Sequence, residues 1–246
     1  MAAGSLEGRR AMVIGAEFPA GAAIARAYAA AGADVALCSL TADEAVLRSR
    51  AVKRQVEAMG RRTAEYVMDV TLGKNVQVTT RQIVKEMGGL DLVASAPHLF
   101  LDRSIARTSD TELARVMQVN FAAQFFVVRA VADEFRRERP DGTPGGCITL
   151  VTTALEAPPG TDVTAYAAAN AAVQSLVRSA AHELAAEGIV VTGIALSGVE
   201  GDPTDAAAST PARDEEIGAA AVLLASEAAS SGIVGRIIPV GGAAQQ

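Results

Sequence analysis

The chain has 246 residues, half of them apolar and 20% charged, with a formal net charge of −6. That length suits one large domain with a core of its own, and the acidic balance lacks the basic footprint of a nucleic-acid binder. The first ten residues carry no apolar leader and no apolar run is long enough to span a bilayer, so a soluble cytoplasmic protein is expected.

Apolar runs of strand length recur at 11–14, 35–37, 66–68, 90–94, 148–151, 190–194 and 237–240. Helix-like stretches lie between them, which predicts a mainly parallel sheet covered by helices on both faces. The runs are continuous rather than alternating, as strands buried on both faces require. No repeat, low-complexity tract or linker interrupts the pattern, so residues 1–246 read as one doubly wound α/β domain. The two cysteines, Cys38 and Cys147, fall in these runs and read as buried free thiols. The Pro- and Gly-rich stretch 139–146 reads as a surface loop feeding a strand.

The first strand leads into a glycine turn, Gly15 to Gly21, and then a helix over 22–31. A strand, a glycine turn and a helix place backbone N–H groups and a helix N-terminus where a dinucleotide diphosphate can sit. Pro19 stands inside this turn. It donates no N–H, although proline is also welcome as the first residue of a helix. After the second strand comes Ser39, at the place where NAD binders carry an acid for the ribose. Asp69-Val70-Thr71 follows the third strand, and Asp69 also suits the role of a cap for the next helix. Ser95-Ala96-Pro97-His98 follows the fourth. His98 reads best as a loop histidine rimming a cleft, and His182 as a surface residue. A helix over 110–137 carries Asn120.

The informative stretch is 147–188. A short buried strand ends near Thr153, and a long Ala-rich helix over 165–187 stops at Gly188. Tyr166 and Asn170 lie one turn apart on this helix and share a face. A hydroxyl, a tyrosine and a residue one turn on resemble the active site of the short-chain dehydrogenase/reductase family. There the pattern is Ser, Tyr-x-x-x-Lys, and an Asn from an earlier helix. The resemblance covers nearly the whole chain. It implies a Rossmann-type fold and NAD or NADP as cofactor. Catalytic positions fall at Thr153, Tyr166, Asn170 and Asn120, and cofactor positions at Gly15, Gly21, Ser39, Asp69, Val70 and Ser95. For Asn120 two readings stay open: a water-holding residue of the family's proton relay, or a structural Asn satisfying backbone at a helix irregularity.

The chain departs from the family at five places. Pro19 replaces the middle glycine. Ser39 replaces the NAD-type acid, while Phe18 and Leu40 stand where NADP binders carry arginine. Ser95 to His98 replaces Asn-Asn-Ala-Gly. Asn170 replaces the lysine, so its amide supplies no positive charge to Tyr166 but still offers hydrogen bonds to a ribose. The substrate-covering segment between Ser197-Gly198 and Pro211 has only 12 residues.

Fold kept and chemistry altered suggest a non-catalytic or weakly catalytic subunit. It would pair with an active homologue in an NAD(P)-dependent alcohol or hydroxyacyl-CoA dehydrogenase, an arrangement similar to that of the anaerobic benzylsuccinate pathway. Relatives use the last helix and strand, and the helices after strands four and five, as interfaces, so a hetero-oligomer or a homotetramer is expected. One alternative is a stand-alone carbonyl reductase with Tyr166 as acid. Another is a ligand-binding or scaffold protein without chemistry.

Overall fold

The computed structural model describes residues 4–42, 45–138, 145–154, 162–197, 210–226 and 234–241. The short segment before Pro211 and most of the loop at 139–146 fall outside these residues. In chain order the elements are β1 (Arg10–Ile14), α1 (Pro19–Ala30), β2 (Asp34–Ser39), α2 (Ala45–Ala58), β3 (Thr63–Val67), α3 (Gly73–Met87) and β4 (Leu92–Ser95). Then come α4 (Asp110–Met117), α5 (Ala123–Glu138), β5 (Cys147–Thr153), α6 (Thr164–Leu184), β6 (Val190–Leu196), α7 (Pro211–Ala225) and β7 (Ile237–Val240).

Among the described residues the strands form one sheet in the order β3-β2-β1-β4-β5-β6-β7. Every pairing is parallel. Successive side chains point to opposite faces. Ala11 and Val13 therefore join Ile24, Ala27 and Ala221 in one core, while Met12 and Ile14 join Ile83, Val127 and Val177 in the other. This two-sided burial is why the strands read as unbroken apolar runs. The strand order reverses between β1 and β4, so the loops after them part and open a crevice at the carboxyl edge of the sheet.

Several boundaries differ from the sequence reading. The third strand covers Thr63–Val67, not 66–68. It is an edge strand with half-exposed Thr63 and Glu65, so its apolar signal is weak. The helix expected over 110–137 is two helices joined by a π-helical turn, Gln118–Ala122. Pro19 is the first residue of α1, as the milder reading has it. Asp69 does not cap α3. The cap position is Leu72, and the Asp69 carboxylate instead accepts from Thr71 N at 2.9 Å and Thr71 Oγ1 at 2.6 Å. Gly188 does end the long helix, in the left-handed conformation at φ 66°.

Both cysteines are buried free thiols on opposite faces of the sheet. Burial pushes the Cys147 thiol up to about 11 and raises Cys38 too. The nucleophile is the thiolate, so a disulfide reagent at about pH 8 should modify neither residue in the folded chain. Guanidinium should release both. Rapid reaction of the folded protein, followed by loss of reagent colour against time, would contradict this packing.

Candidate active site

The crevice is built from the loops that follow β1, β2, β3 and β4 and from the end of β5. In the glycine turn, Gly15 has φ +80°, and a Cβ there would lie 2.4 Å from the Ala96 carbonyl oxygen. A Cβ on Gly21 would lie 2.1 Å from the Gly15 carbonyl oxygen. Both glycines are thus required by close backbone approach between the turn, α1 and the loop after β4. Phe18 is the residue before α1, and its ring meets His98 edge-on with centroids 6.3 Å apart.

His98 lies on the loop after β4. That loop is held by Asn120, which the π-helical turn carries inward: Leu99 N donates to Asn120 Oδ1 at 2.9 Å, and Asn120 Nδ2 donates to Leu99 O at 2.8 Å. The carboxamide satisfies backbone at a helix irregularity, one of the two readings of this residue. Gln124, which sequence reasoning passed over, ties the neighbouring strand ends. Its Nε2 donates to Ser95 O at 3.2 Å and Val151 O at 2.9 Å.

Thr153 and Tyr166 meet, as the resemblance implies. Their hydroxyl oxygens are 2.8 Å apart, and the Tyr166 hydroxyl lies 3.3 Å from His98 Nε2. The Tyr166 ring is wholly buried. Its neighbours include His98 and Phe100 edge-on at 5.4 and 5.2 Å, and Val116 and Val163.

Asn170 does something its sequence position does not reveal. Its Oδ1 accepts from Thr152 Oγ1 at 3.0 Å and from Thr153 N at 2.9 Å, and its Nδ2 donates to Tyr166 O at 2.9 Å. The amide ties the end of β5 to the first turns of α6, and Asn170 also lines the narrow end of the crevice.

The cofactor positions divide. Asp69 and Val70 line an open pocket of about 920 Å³ together with Leu40, Thr41 and Arg48. Ser39 and Ser95 end their strands as buried residues and do not line it. A second acidic residue on this wall, beside Asp69, is Glu17 from the glycine turn. It is buried, and its Oε1 accepts from Leu40 N at 2.7 Å. An acid inside the turn was its only sequence signal. Toward Thr153 the crevice narrows to about 40 Å³ between Phe18, His98, Asn120 and Asn170.

Residues 9–213 match the sequence profile of the short-chain dehydrogenases. The chain belongs to the short-chain dehydrogenase family. It is 31% identical over 189 residues to a short-chain dehydrogenase/reductase of Armillaria gallica, covering 77% of this chain and 70% of the relative. It is 26% identical over 198 residues to the 3-oxoacyl-acyl-carrier-protein reductase of Staphylococcus epidermidis, covering 80% and 78%. Among solved structures it resembles a short-chain dehydrogenase from Mycobacterium smegmatis at TM-score 0.82 and 26% identity, over 99% of this chain and 95% of the other. No described helix is long and apolar enough to cross a membrane.

Removing the buried Asn170 amide leaves Thr153 N without its acceptor and Thr152 Oγ1 with only a main-chain one. Asn170→Ala should therefore cost roughly 3 kcal/mol, whereas Thr153→Val should cost only about 1 kcal/mol. Urea unfolding checks this: the Asn170→Ala midpoint should fall well below that of Thr153→Val, with similar slopes.

Proposed function

We propose that this short-chain dehydrogenase is a subunit with little or no hydride-transfer chemistry of its own. It would pair with an active homologue in an NAD(P)-dependent alcohol or hydroxyacyl dehydrogenase. One observation carries the reading: the end of the crevice where a nicotinamide would meet a carbonyl is filled by the chain's own side chains. Phe18 and His98 reach across it, and about 40 Å³ remains beside Thr153, room for only a few waters.

The family's cofactor therefore fits this structure at one end only. Asp69, Val70 and Leu40 line space for an adenosine. At the other end, the residue four places after Tyr166 is a neutral amide engaged with protein. A free tyrosine has a pKa of about 10. In the family a lysine at this position both lowers that value and holds the ribose, and Asn170 brings no positive charge for the first of these. The relative named as a 3-oxoacyl reductase supports the hydroxyacyl class for the active partner.

One contact favours a second reading. The 2.8 Å pair of Thr153 and Tyr166 is the arrangement a stand-alone carbonyl reductase would use, with Tyr166 as acid.

The two readings separate on the purified chain. Alone, with NADH or NADPH and a panel of ketones and 3-oxoacyl thioesters, it should turn over at least about a hundredfold more slowly than the homologue it copurifies with, the scale on which acid–base help acts. Tyr166→Phe should leave that residual rate unchanged. Asn170→Lys should restore nothing, because Phe18 and His98 still close the site. Full turnover as a homo-oligomer, abolished in Tyr166→Phe, would instead establish the reductase.

A further inference from the structure

We infer that a surface pocket between α3 and α5, outside the crevice, is a binding site for a small phosphate monoester, and that Arg129 and Lys74 are the groups that hold the phosphate.

The pocket has about 300 Å³ and is walled by Gly73, Lys74 and Gln77 of α3 and by Arg129, Ala130 and Asp133 of α5. These residues are distinct from those that line the crevice. The chain as a whole is acidic, yet two cations converge on this hollow.

Arg129 is the unusual member. Several arginines of the fold are paired with acids: Arg10 with Asp91, Arg26 with Asp214, Arg61 with Glu7, Arg81 with Glu134 and Arg136 with Glu187. Among the described residues Arg129 has neither an acidic partner nor a hydrogen bond. Its guanidinium instead lies over two rings, 5.2 Å from the Phe126 centroid and 5.8 Å from that of Phe125. Ring contacts hold a guanidinium without using its N–H groups, so the donors remain for a ligand.

Gly73 makes room for this arrangement. A Cβ on it would fall 2.9 Å from Arg129 Nη2, so a side chain there would displace the guanidinium. Its φ is not positive, and the approach of the arginine is the demand that glycine meets. Lys74 stands beside it, with Nζ at 3.4 Å from Gln77 Oε1, a long contact that leaves donors over. The acid on the wall, Asp133, is engaged by Arg136 at 3.1 Å. The first turn of α3 carries no acid to offset the two cations.

Two neighbouring cations match a dianion better than a single carboxylate. A guanidinium fork and an ammonium are the side-chain groups suited to phosphate oxygens, and a phosphate monoester carries close to two charges at neutral pH. The space exceeds that of the ion alone, which leaves room for a small body bearing it. Gln77 and Asp133 on the wall suit the hydroxyls of such a body.

The test is calorimetric titration of the whole chain with glycerol 3-phosphate, inorganic phosphate and acetate, at about pH 8 and fixed ionic strength. Glycerol 3-phosphate should bind at millimolar concentration, inorganic phosphate about threefold more weakly, and acetate at least about tenfold more weakly. Arg129→Gln and Lys74→Gln should each weaken glycerol 3-phosphate about tenfold, the scale of one charge-assisted bond. Gly73→Ala should weaken it similarly. That variant keeps every charge, so it separates a built pocket from diffuse attraction to a basic surface. Absence of binding at about 10 mM would overturn the site. So would affinity left unchanged by Arg129→Gln or by Gly73→Ala. Acetate binding as tightly as the ester would overturn the preference for phosphate. Inorganic phosphate binding as tightly would overturn the ester and assign the pocket to the free ion. Should Gly73→Ala fail to fold, Arg129→Gln at the surface decides.

Discussion

A buried amide must find hydrogen-bond partners within the protein, and the Asn170 carboxamide meets that demand at the junction of β5 and α6. Its three bonds, to Thr152, Thr153 and the main chain of Tyr166, fix the strand end against the helix start. The Thr153 and Tyr166 hydroxyls are then held 2.8 Å apart. The Thr153 and Tyr166 pair is thus positioned by a residue that departs from the family's pattern. A lysine at 170 could not take over this role. It donates but does not accept, so Thr153 N would lose its acceptor and Thr152 Oγ1 would keep only the main-chain oxygen of residue 170, at 3.1 Å.

The same economy extends along the crevice. Phe18, His98, Tyr166 and Phe100 form a train of edge-on rings with centroid spacings of 5.2–6.3 Å. Such contacts add stability beyond the area they bury. They link the glycine turn, the loop after β4 and the long helix by direct packing. A ligand passing from the wide end to the narrow one meets Phe18 and His98, which line both. One entering the wide end meets no such obstacle. The two ends of the crevice are therefore physically unequal, with the dividing line at Phe18 and His98.

The sequence showed the layers of the fold because their cause is local. Strands buried on both faces are continuous apolar runs, and the glycine turn, Pro19 and Gly188 mark their own places. Tyr166 and Asn170 share a face by helix periodicity alone. Less legible were features set by what lies across the chain. The Asn170 bonds depend on Thr152, which no helix pattern indicates. Glu17 reads as an arbitrary loop acid until β2 and β1 are placed side by side, when Leu40 N comes within 2.7 Å. Ser39 and Ser95 were assigned by analogy of position, but each ends its strand facing the protein interior. The π-helical turn at 118–122 shows only that a helix could be irregular near Asn120, not that the irregularity aims its amide at Leu99.

Why the fold can tolerate such a site follows from where its stability resides. The two large cores lie between the sheet and its helices, and their members on β1, such as Val13 and Ile14, are separate from the crevice-lining side chains. Hydrophobic burial of that kind dominates domain stability. Exchanging a lysine for Asn170, or a glycine for Pro19, changes the carboxyl edge without opening either core. Asn170 even adds bonds there. Rings and amides can be exchanged along the crevice while the layers on either side of the sheet stay packed. The open pocket beside Asp69 and Val70 lies on the far side of Phe18 and His98 from Thr153.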